Sequence, residues 1–299
     1  MRGMRMNNQK KIVVFGGAGF LGSHVADALS DKGHKVFVFD KVCSPYLREG
    51  QEMIIGDVLN FDDLDNDICG ADYVYNFAGI ADIEKCAVNP VHTIHNNIIG
   101  HAYILEKCCE HQIRRIIFAS SIYVYSKQGS FYKIAKQTCE HLTEEYYDKY
   151  DLPYTILRYG SLYGPRSQEW NGLHRYVAEA VRTGKIDYPG TGDEKREYIH
   201  VLDAARLSVD ILTEKYLNKC VVITGTDILT SKDLLTMINE MLDNKISINY
   251  LNKKLSQHYT ITPYSFIPKI GMKLQPNPSV DMGEGLLQEI EYIYTKEHL

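Results

Sequence analysis

Short apolar runs alternate with longer segments of helical spacing over the first 160 residues. The strand-like runs are Lys11–Phe15, Val36–Asp40, Met53–Gly56, Tyr73–Phe77, Ile113–Ser120 and Thr155–Arg158. The segments with helical spacing between them are Leu21–Lys32, Val91–His111 and Ala135–Tyr150. Alternation of this kind predicts an α/β fold, in which a parallel sheet is covered by helices on both faces. Right-handed crossovers then make the sheet doubly wound.

The alternation loosens after Gly164-Pro165. Further helices are predicted near Leu173–Thr183, from Val201, at Lys232–Leu242 and from about Gly285, and further strands at Tyr198–His200 and Cys220–Thr224. Because no Gly/Ser-rich linker separates the halves, we expect two closely packed lobes with a cleft between them. The expected boundaries are 1–165 for the first domain and 166–299 for a smaller, mixed α/β lobe, from which about 201–225 returns to the first domain.

A glycine-rich turn follows the first predicted strand directly. Gly16, Gly19 and Gly22 give the spacing GxxGxxG. The first glycine permits a tight turn, the second lets backbone N–H groups approach a diphosphate, and the third lets the helix pack against the sheet. The helix N-terminus at Phe20 and Leu21 adds a partial positive charge. The motif predicts a dinucleotide-binding turn, and a plain turn is the alternative.

An acidic residue ends the second predicted strand. Asp40 lies 18 residues beyond Gly22. A carboxylate at this place accepts hydrogen bonds from the ribose hydroxyls of adenosine and repels a 2′-phosphate. Asp40 therefore favours NAD over NADP as the cofactor, with a solvated loop acid as the alternative.

Composition narrows the function classes. Of the 299 residues, 44% are hydrophobic, and the formal net charge is −5. No block dense in Lys and Arg supports nucleic-acid binding, and no apolar run approaches the roughly 20 residues of a membrane span. Seven cysteines without CxxC spacing are typical of reduced cytoplasmic thiols, and 11 histidines without an HExxH-like pattern indicate no metal. We therefore expect a cytoplasmic protein that binds small molecules.

Several motifs beyond the turn lie in register with those of one family. They are Gly56-Asp57-Val58, Asn76-Phe77-Ala78-Gly79, Asn97-Ile98-Ile99-Gly100, the LRYxNVYGP-like segment 157–165, the G…RDFIHVxD-like segment 192–203 and the closing segment 270–286. With GxxGxxG, these motifs resemble the extended short-chain dehydrogenase/reductase family, in its branch of nucleotide-sugar epimerases, dehydratases and 4-keto reductases. The resemblance covers almost the whole chain.

The resemblance implies a Rossmann fold, NAD as cofactor and a nucleotide-diphospho-sugar as substrate. It also implies a homodimer with a four-helix interface formed by 97–111 and 132–150, although the apolar spacing of these helices equally suits a monomer core. The cofactor-binding residues that it implies are Gly16, Gly19, Phe20, Leu21, Gly22, Asp40, Lys41, Asp57, Val58, Phe77, Ala78, Gly79, Asn97, Ser120, Tyr132, Lys136 and Tyr159.

Hydride chemistry at a sugar hydroxyl needs a base, and a tyrosine can serve if a nearby ammonium and the cationic nicotinamide ring together lower its pKa. On a helix, YxxxK places both side chains on one face. The spacing occurs five times, at 103/107, 123/127, 132/136, 250/254 and 292/296. Tyr132 and Lys136 are favoured because they open the helix after the fifth strand and resemble the family's YxxSKxxxE. Tyr123 and Lys127 are the rival pair, although Gly129 indicates a loop around them.

The resemblance also assigns the remaining site residues. Ser121 is the hydroxyl that donates to the substrate oxygen, with a turn-capping serine as the alternative. Arg196 matches an arginine that clamps the nucleotide's phosphates, with a surface arginine beside Glu197 as the alternative. Ser161, which replaces the Asn of LRYxNVYGP, and Arg166 complete the predicted substrate-binding set.

Departures from the family pattern bear on the reaction. Dehydratases and related decarboxylases carry acids just after the catalytic Ser/Thr, whereas this chain has Ile122 and Tyr123, which disfavours a 4,6-dehydratase. Tyr132 follows Ser121 by only 11 residues, so a loop near the substrate is shortened. Oxidation at the sugar's C4 then ends in 4-epimerisation or in release of the 4-keto sugar. A 4-keto-sugar reductase using NAD(P)H and a non-catalytic NAD-binding regulator are the alternatives.

Overall fold

The strands follow the predicted order. In the computed structural model, which describes residues 9–253, 258–263, 272–276 and 279–297, there are 13 strands within those residues. They are β1 Lys11–Phe15, β2 Lys35–Asp40, β3 Gln51–Ile55, β4 Tyr73–Asn76, β5 Arg115–Ser121, β6 Tyr154–Tyr159, β7 Ser161–Tyr163, β8 Lys185–Tyr188, β9 Lys195–His200, β10 Lys219–Ile223, β11 Ile228–Thr230, β12 Ser247–Tyr250 and β13 Met272–Leu274.

Ten α-helices lie in the same described ranges. They are α1 Phe20–Asp31, α2 Leu64–Ile68, α3 Ile83–Val88, α4 Pro90–Thr93, α5 Gly100–Glu110, α6 Ser130–Tyr150, α7 Gly172–Thr183, α8 Val201–Asp210, α9 Ser231–Met241 and α10 Met282–Glu297. A π-helix joins α4 to α5, so the single helix predicted over Val91–His111 is three segments in succession.

Eight strands form one parallel sheet in the order β13-β10-β6-β5-β4-β1-β2-β3. Every residue of β5 and β6 is buried, as expected for central strands that are covered on both faces. Helices α1 and α8 pack on one face, and α2, α5 and α6 pack on the other. The predicted doubly wound α/β fold is confirmed.

A second core lies outside the large sheet. Apolar residues of α7, α9 and α10 pack together there beside a three-stranded sheet, β11-β9-β7, and a two-stranded sheet, β12-β8. Its segments meet the first domain where Arg166 Nη2 donates to Asp27 Oδ2 at 2.9 Å and where the Tyr46 and Tyr292 hydroxyls lie 3.3 Å apart. The region beginning at Gly164 is therefore seated against α1 and the loop after β2.

Within the described ranges, no helix combines the length and apolar character needed to cross a membrane. The same ranges contain no group of three or more His, Cys, Asp or Glu residues arranged to hold a metal ion. Ile270-Gly271 of the closing segment and Lys254 of the fourth YxxxK pair lie outside the described residues.

Candidate active site

The turn between β1 and α1 requires glycine on steric grounds. Gly16 has φ +72°, and a Cβ added there would lie 2.6 Å from the backbone of Phe77 and Ala78. A Cβ at Gly22 would overlap the carbonyl oxygen of Gly16. The N-cap residue of α1 is Gly19, which has no side chain to bond the first N–H groups of the helix. The first N–H groups of the helix are thus left for an anion, as the glycine spacing predicts.

The acidic residues predicted to hold adenosine lie beside this turn. Asp40 Oδ2 accepts a hydrogen bond from Ala18 N at 3.0 Å, which ties the end of β2 to the turn. Lys41 Nζ lies 3.1 Å from Asp57 Oδ2. Burial opposes ionisation of Asp57, but the Leu59 N–H and Lys41 outweigh it and lower the pKa of the carboxyl. Asp40, Lys41 and Asp57 therefore form one polar group at the carboxyl ends of β2 and β3.

Asn97 acts on the loop after β4 through its side-chain amide. Its Oδ1 accepts from Ile80 N at 2.7 Å, and its Nδ2 donates to Ile80 O at 2.9 Å. Both ends of the amide are thus bonded to the backbone that follows Phe77, Ala78 and Gly79. The side chain of Asn97 therefore positions this loop. Its two bonds to Ile80 leave the amide less free to contact a cofactor.

The structure brings Tyr132, Lys136 and Ser121 together. Tyr132 and Lys136 lie on the first two turns of α6, and Ser121 ends β5. Ser121 lies close enough to the Tyr132 hydroxyl to lower the pKa of the phenol. Lys136 Nζ donates to Ala119 O at 2.7 Å and lies 5.7 Å from the centre of the Tyr132 ring. The arrangement can take a proton from a hydroxyl held beside Ser121.

Burial dominates the electrostatics of this group. Burial raises the pKa of Tyr132 to about 12, and the hydrogen bond to Ser121 offsets only part of that shift. Burial also lowers the pKa of Lys136, whose Nζ is bonded to a carbonyl. The lysine by itself does not bring the pKa of the phenol toward neutrality. A further positive charge at the site is needed to lower the pKa of Tyr132 toward neutrality.

The rival YxxxK pairs lie elsewhere. Tyr123 is in a 3₁₀ turn, where its hydroxyl lies 2.7 Å from His258 Nδ1, and Lys127 is exposed. Lys107, the partner of Tyr103, binds Glu110 at 2.7 Å. Among the pairs that the described residues include in full, the one whose phenol hydroxyl interacts with Ser121 is Tyr132/Lys136, whereas Tyr123 meets Ser121 through its backbone N–H. The helix begins at Ser130, five residues before the predicted start, which places Tyr132 on it.

Two predicted cofactor residues direct their side chains into the interior. Ser120 Oγ donates to Glu140 Oε1 at 2.5 Å. The Tyr159 hydroxyl lies 2.6 Å from Ser208 Oγ on α8. Any contact of Ser120 or Tyr159 with a cofactor would therefore come from the backbone. Sequence reasoning missed these bonds because the partners lie 20 and 49 residues away along the chain.

The predicted substrate residues do not all lie together. Ser161 Oγ is 3.2 Å from the Tyr259 hydroxyl, and the Arg196 guanidinium is 4.6 Å from the centre of the Tyr259 ring. Arg166 instead pairs with Asp27 and lies 4.6 Å from the ring of Tyr46. The chain after Gly164-Pro165 thus turns Arg166 toward α1, away from Ser161 and Arg196, and its role in substrate binding stays a prediction.

A cleft of about 570 Å³ lies against the glycine-rich turn. Its lining residues are Ala18, Gly19, Phe20, Pro45, Tyr46, Arg166, Ser167, Gln168, Glu169, His174, Arg182, Ile293 and Lys296. Three of them, Arg166, Arg182 and Lys296, carry positive charge, and they line the cleft together with the start of α1. Arg166 Nη1, a hydrogen-bond donor, is buried without a partner among the described residues. A diphosphate fits this donor set, so the chain's residues suit a bound dinucleotide.

Gly16→Ala is expected to weaken NAD binding by about tenfold or more, because the turn must shift to clear the backbone after β4. Gly33→Ala is the matched control: Gly33 has φ +83°, but an added Cβ meets no atom within 4 Å. This control should lose about 1 kcal/mol of stability and keep its NAD affinity. Fluorescence titration with NAD measures both variants, and an unchanged affinity in Gly16→Ala would contradict this account of the turn.

Comparison with known proteins agrees with this geometry. The model of the NAD dependent epimerase/dehydratase family matches residues 12–223. A Bacillus subtilis (strain 168) protein described as an uncharacterized UDP-glucose epimerase, YtcB, is 27% identical over 310 residues, which cover 95% of this chain and 98% of that protein. A UDP-glucose 4-epimerase of Neisseria meningitidis serogroup C is 29% identical over 257 residues, 69% of this chain and 74% of its own.

A solved structure resembles this one throughout. The UDP-glucose 4-epimerase of Thermotoga maritima, crystallised with UDP-glucose, superposes with a TM-score of 0.84 at 25% identity, over 96% of this chain and 99% of its own. The family predicted from the sequence motifs is confirmed. The chain belongs to the NAD dependent epimerase/dehydratase family.

Proposed function

We propose that this chain is an NAD-dependent 4-epimerase of a UDP-hexose. The observation that carries the proposal is the convergence of Tyr132, Lys136 and Ser121 at the carboxyl end of β5, on the same edge of the parallel sheet as the glycine-rich turn after β1. The UDP-glucose 4-epimerases that resemble the chain supply the substrate class. In this proposal the first domain holds NAD and the second lobe holds the nucleotide sugar.

The proposed chemistry is a proton transfer coupled to a hydride transfer. NAD, when bound, accepts the hydride from C4 and adds the positive charge that lowers the pKa of the neighbouring phenol. Tyr132, as the phenolate, takes the proton of the C4 hydroxyl while the C4–O bond becomes a carbonyl. Ser121 donates a hydrogen bond to that oxygen. After the keto sugar has rotated in the site, Tyr132 returns the proton to the oxygen as C4 regains the hydride on its opposite face, which gives the C4 epimer.

The residues after Ser121 favour epimerisation over elimination. Ile122 and Tyr123 are buried and carry no carboxylate. Burial raises the pKa of Tyr123 well above 10, so its phenol stays protonated at neutral pH. A 4-keto intermediate would therefore find no carboxylate from these two positions to remove a proton at C5. Loss of water is accordingly disfavoured.

Incubation with NAD and UDP-glucose tests the proposal. Chromatography should show UDP-galactose, with no net rise in the near-ultraviolet absorbance of NADH. A stoichiometric rise of that absorbance would indicate the C4 dehydrogenase instead, and an unsaturated or 6-deoxy product would indicate a dehydratase. No conversion of UDP-, GDP-, CDP- or dTDP-hexoses would overturn the enzyme proposal.

A homodimer is also proposed, through the side of the first domain that carries α4 and α6. Exposed apolar residues lie there, among them Val91, Ile94, Phe131 and Ile134, which are 67%, 41%, 37% and 48% exposed. Large apolar side chains grouped on a surface suit a protein partner. Sedimentation at micromolar concentration should give a dimer, and a monomer there would contradict the proposal.

A further inference from the structure

Two hydrogen bonds join the first half of α6 to the end of β5. Lys136 Nζ donates to Ala119 O at 2.7 Å, and Ser120 Oγ donates to Glu140 Oε1 at 2.5 Å. The two bonds start from successive residues of the strand and reach positions about one turn apart on the helix. Ser121 follows directly as the last residue of β5. The end of the strand that carries this serine is therefore bonded to α6 at two points.

The carboxylate of Glu140 is itself held by a third element, β6. The Arg158 guanidinium donates to Oε1 through Nε at 2.9 Å and to Oε2 through Nη2 at 2.6 Å. Arg158 also lies beside Ser120 in the register of β5 and β6. All three side chains are buried. Because a two-point contact between a guanidinium and a carboxylate has a specific geometry, Glu140 is fixed between α6, β5 and β6.

The proposed catalytic group is divided between two of these elements. Tyr132 lies on α6, one turn before Lys136, whereas Ser121 lies on β5. The distance between the phenol and the serine hydroxyl therefore depends on how α6 is seated on the end of the strand. A misplacement of about 1 Å can lower a rate about 100-fold.

We propose that Ser120 and Glu140 are positioning residues, whose hydrogen bond holds Ser121 at the distance from Tyr132 that proton transfer requires. This inference rests on the proposed function and adds two buried residues to the account of its geometry. The bond of Lys136 to Ala119 O does not replace theirs, because a lysine has a long, flexible stem that follows a displaced carbonyl. A serine hydroxyl stands directly on Cβ and tolerates much less displacement.

Ser120→Ala separates this positioning from the buried ion pair. The variant removes the hydroxyl, while Arg158 still bonds both oxygens of Glu140. Initial rates are measured over a range of UDP-glucose concentrations at saturating NAD, well below the melting temperature. We expect kcat to fall about tenfold, with the KM for UDP-glucose and the Kd for NAD unchanged. Ser120→Thr restores the hydroxyl and should keep kcat within about twofold of the unmodified chain.

Thr143→Val is the matched control on the same helix. Thr143 is also buried, and its hydroxyl donates to Cys139 O at 2.8 Å and lies 2.9 Å from His101 Nε2. It stands about 16 Å from Tyr132 along α6. This variant loses a buried hydroxyl of the same kind, so its melting temperature should fall in thermal denaturation. Because Thr143 lies far from the catalytic group, kcat should not change.

Three results would overturn the inference. The first is a Ser120→Ala variant that loses thermal stability as Thr143→Val does but keeps its kcat, since the bond would then be structural only. The second is a rise in KM or in the Kd for NAD that matches the fall in kcat, which would place Ser120 on a ligand. The third is an equal loss of kcat in Ser120→Thr, which would show that the hydroxyl is not the cause.

Two further measurements keep the test decisive. If Ser120→Ala does not fold, Ser120→Cys takes its place, because a thiol has similar bulk but is a weak donor, and kcat should fall there too. An unchanged kcat in Ser120→Cys would contradict the inference. Absence of epimerisation by the unmodified chain would overturn the proposed function itself, which is a separate result.

Discussion

Replacing Tyr132 with phenylalanine is expected to lower kcat for UDP-glucose about 10²- to 10⁴-fold, the range that a general base contributes. The ring that packs near Tyr123 is retained, and Lys136 keeps its bond to Ala119 O. The group lost in this variant is the phenol hydroxyl, on whose pKa Ser121 acts. The free energy of unfolding and the affinity for NAD should therefore change little, so that the loss appears in the chemical step.

Tyr103→Phe is the matched control for this variant. Tyr103 belongs to another YxxxK pair, on α5, and its ring packs edge-on against Phe61 at 5.0 Å. Initial rates of UDP-galactose formation should be unchanged in Tyr103→Phe. If Tyr132→Phe keeps more than about a tenth of the activity, the base lies elsewhere, and Tyr123→Phe becomes the variant to examine.

Glu140→Leu is expected to lower the free energy of unfolding by about 3–5 kcal/mol. Glu140 is 3% exposed and Arg158 is 1% exposed. The guanidinium donates to both carboxylate oxygens, through Nε at 2.9 Å and Nη2 at 2.6 Å. Removal of the carboxylate leaves a buried cation without its counter-charge, and it also leaves Ser120 Oγ without its acceptor. Denaturant unfolding monitored by circular dichroism gives the value.

Two further variants test that explanation. The double variant Glu140→Leu/Arg158→Met should recover most of the lost stability, because apolar groups of similar size replace both charges. Asp243→Asn removes an ion pair with Lys245 whose side chains are about 80% exposed, and should change stability by less than about 1 kcal/mol. If Glu140→Leu is no more destabilising than Asp243→Asn, the buried pair does not stabilise the sheet.

The large sheet could be predicted from the sequence because its strands are continuous apolar runs. β1 has the predicted bounds, and β2, β4 and β6 differ from prediction by one or two residues. The strands of the second lobe are different. β7 and β11 have three residues each, and β8 alternates exposed and buried positions over only four. Such short segments carry too few positions for a hydrophobic period to be recognised.

The candidate site could be predicted only in part, and the rest depends on contacts between distant segments. The motif around Tyr132 and Lys136 is local, and the sequence context was enough to choose it among five pairs. The bond of Arg166 to Asp27 could not be predicted, because the two residues lie 139 positions apart along the chain. His258 and Tyr259 gave no signal, since they stand in an irregular segment without a motif.

The central claim is that the hydrogen on C4 leaves and returns as a hydride while Tyr132 handles the proton. UDP-glucose deuterated at C4 tests it most directly, with the product analysed by mass spectrometry and NMR in ordinary water. The account predicts that UDP-galactose keeps the deuterium at C4, that turnover is slower than with the protiated sugar when chemistry limits the rate, and that Tyr132→Phe makes almost no product. Loss of the deuterium to solvent would show that C4 is deprotonated instead, and would contradict the account.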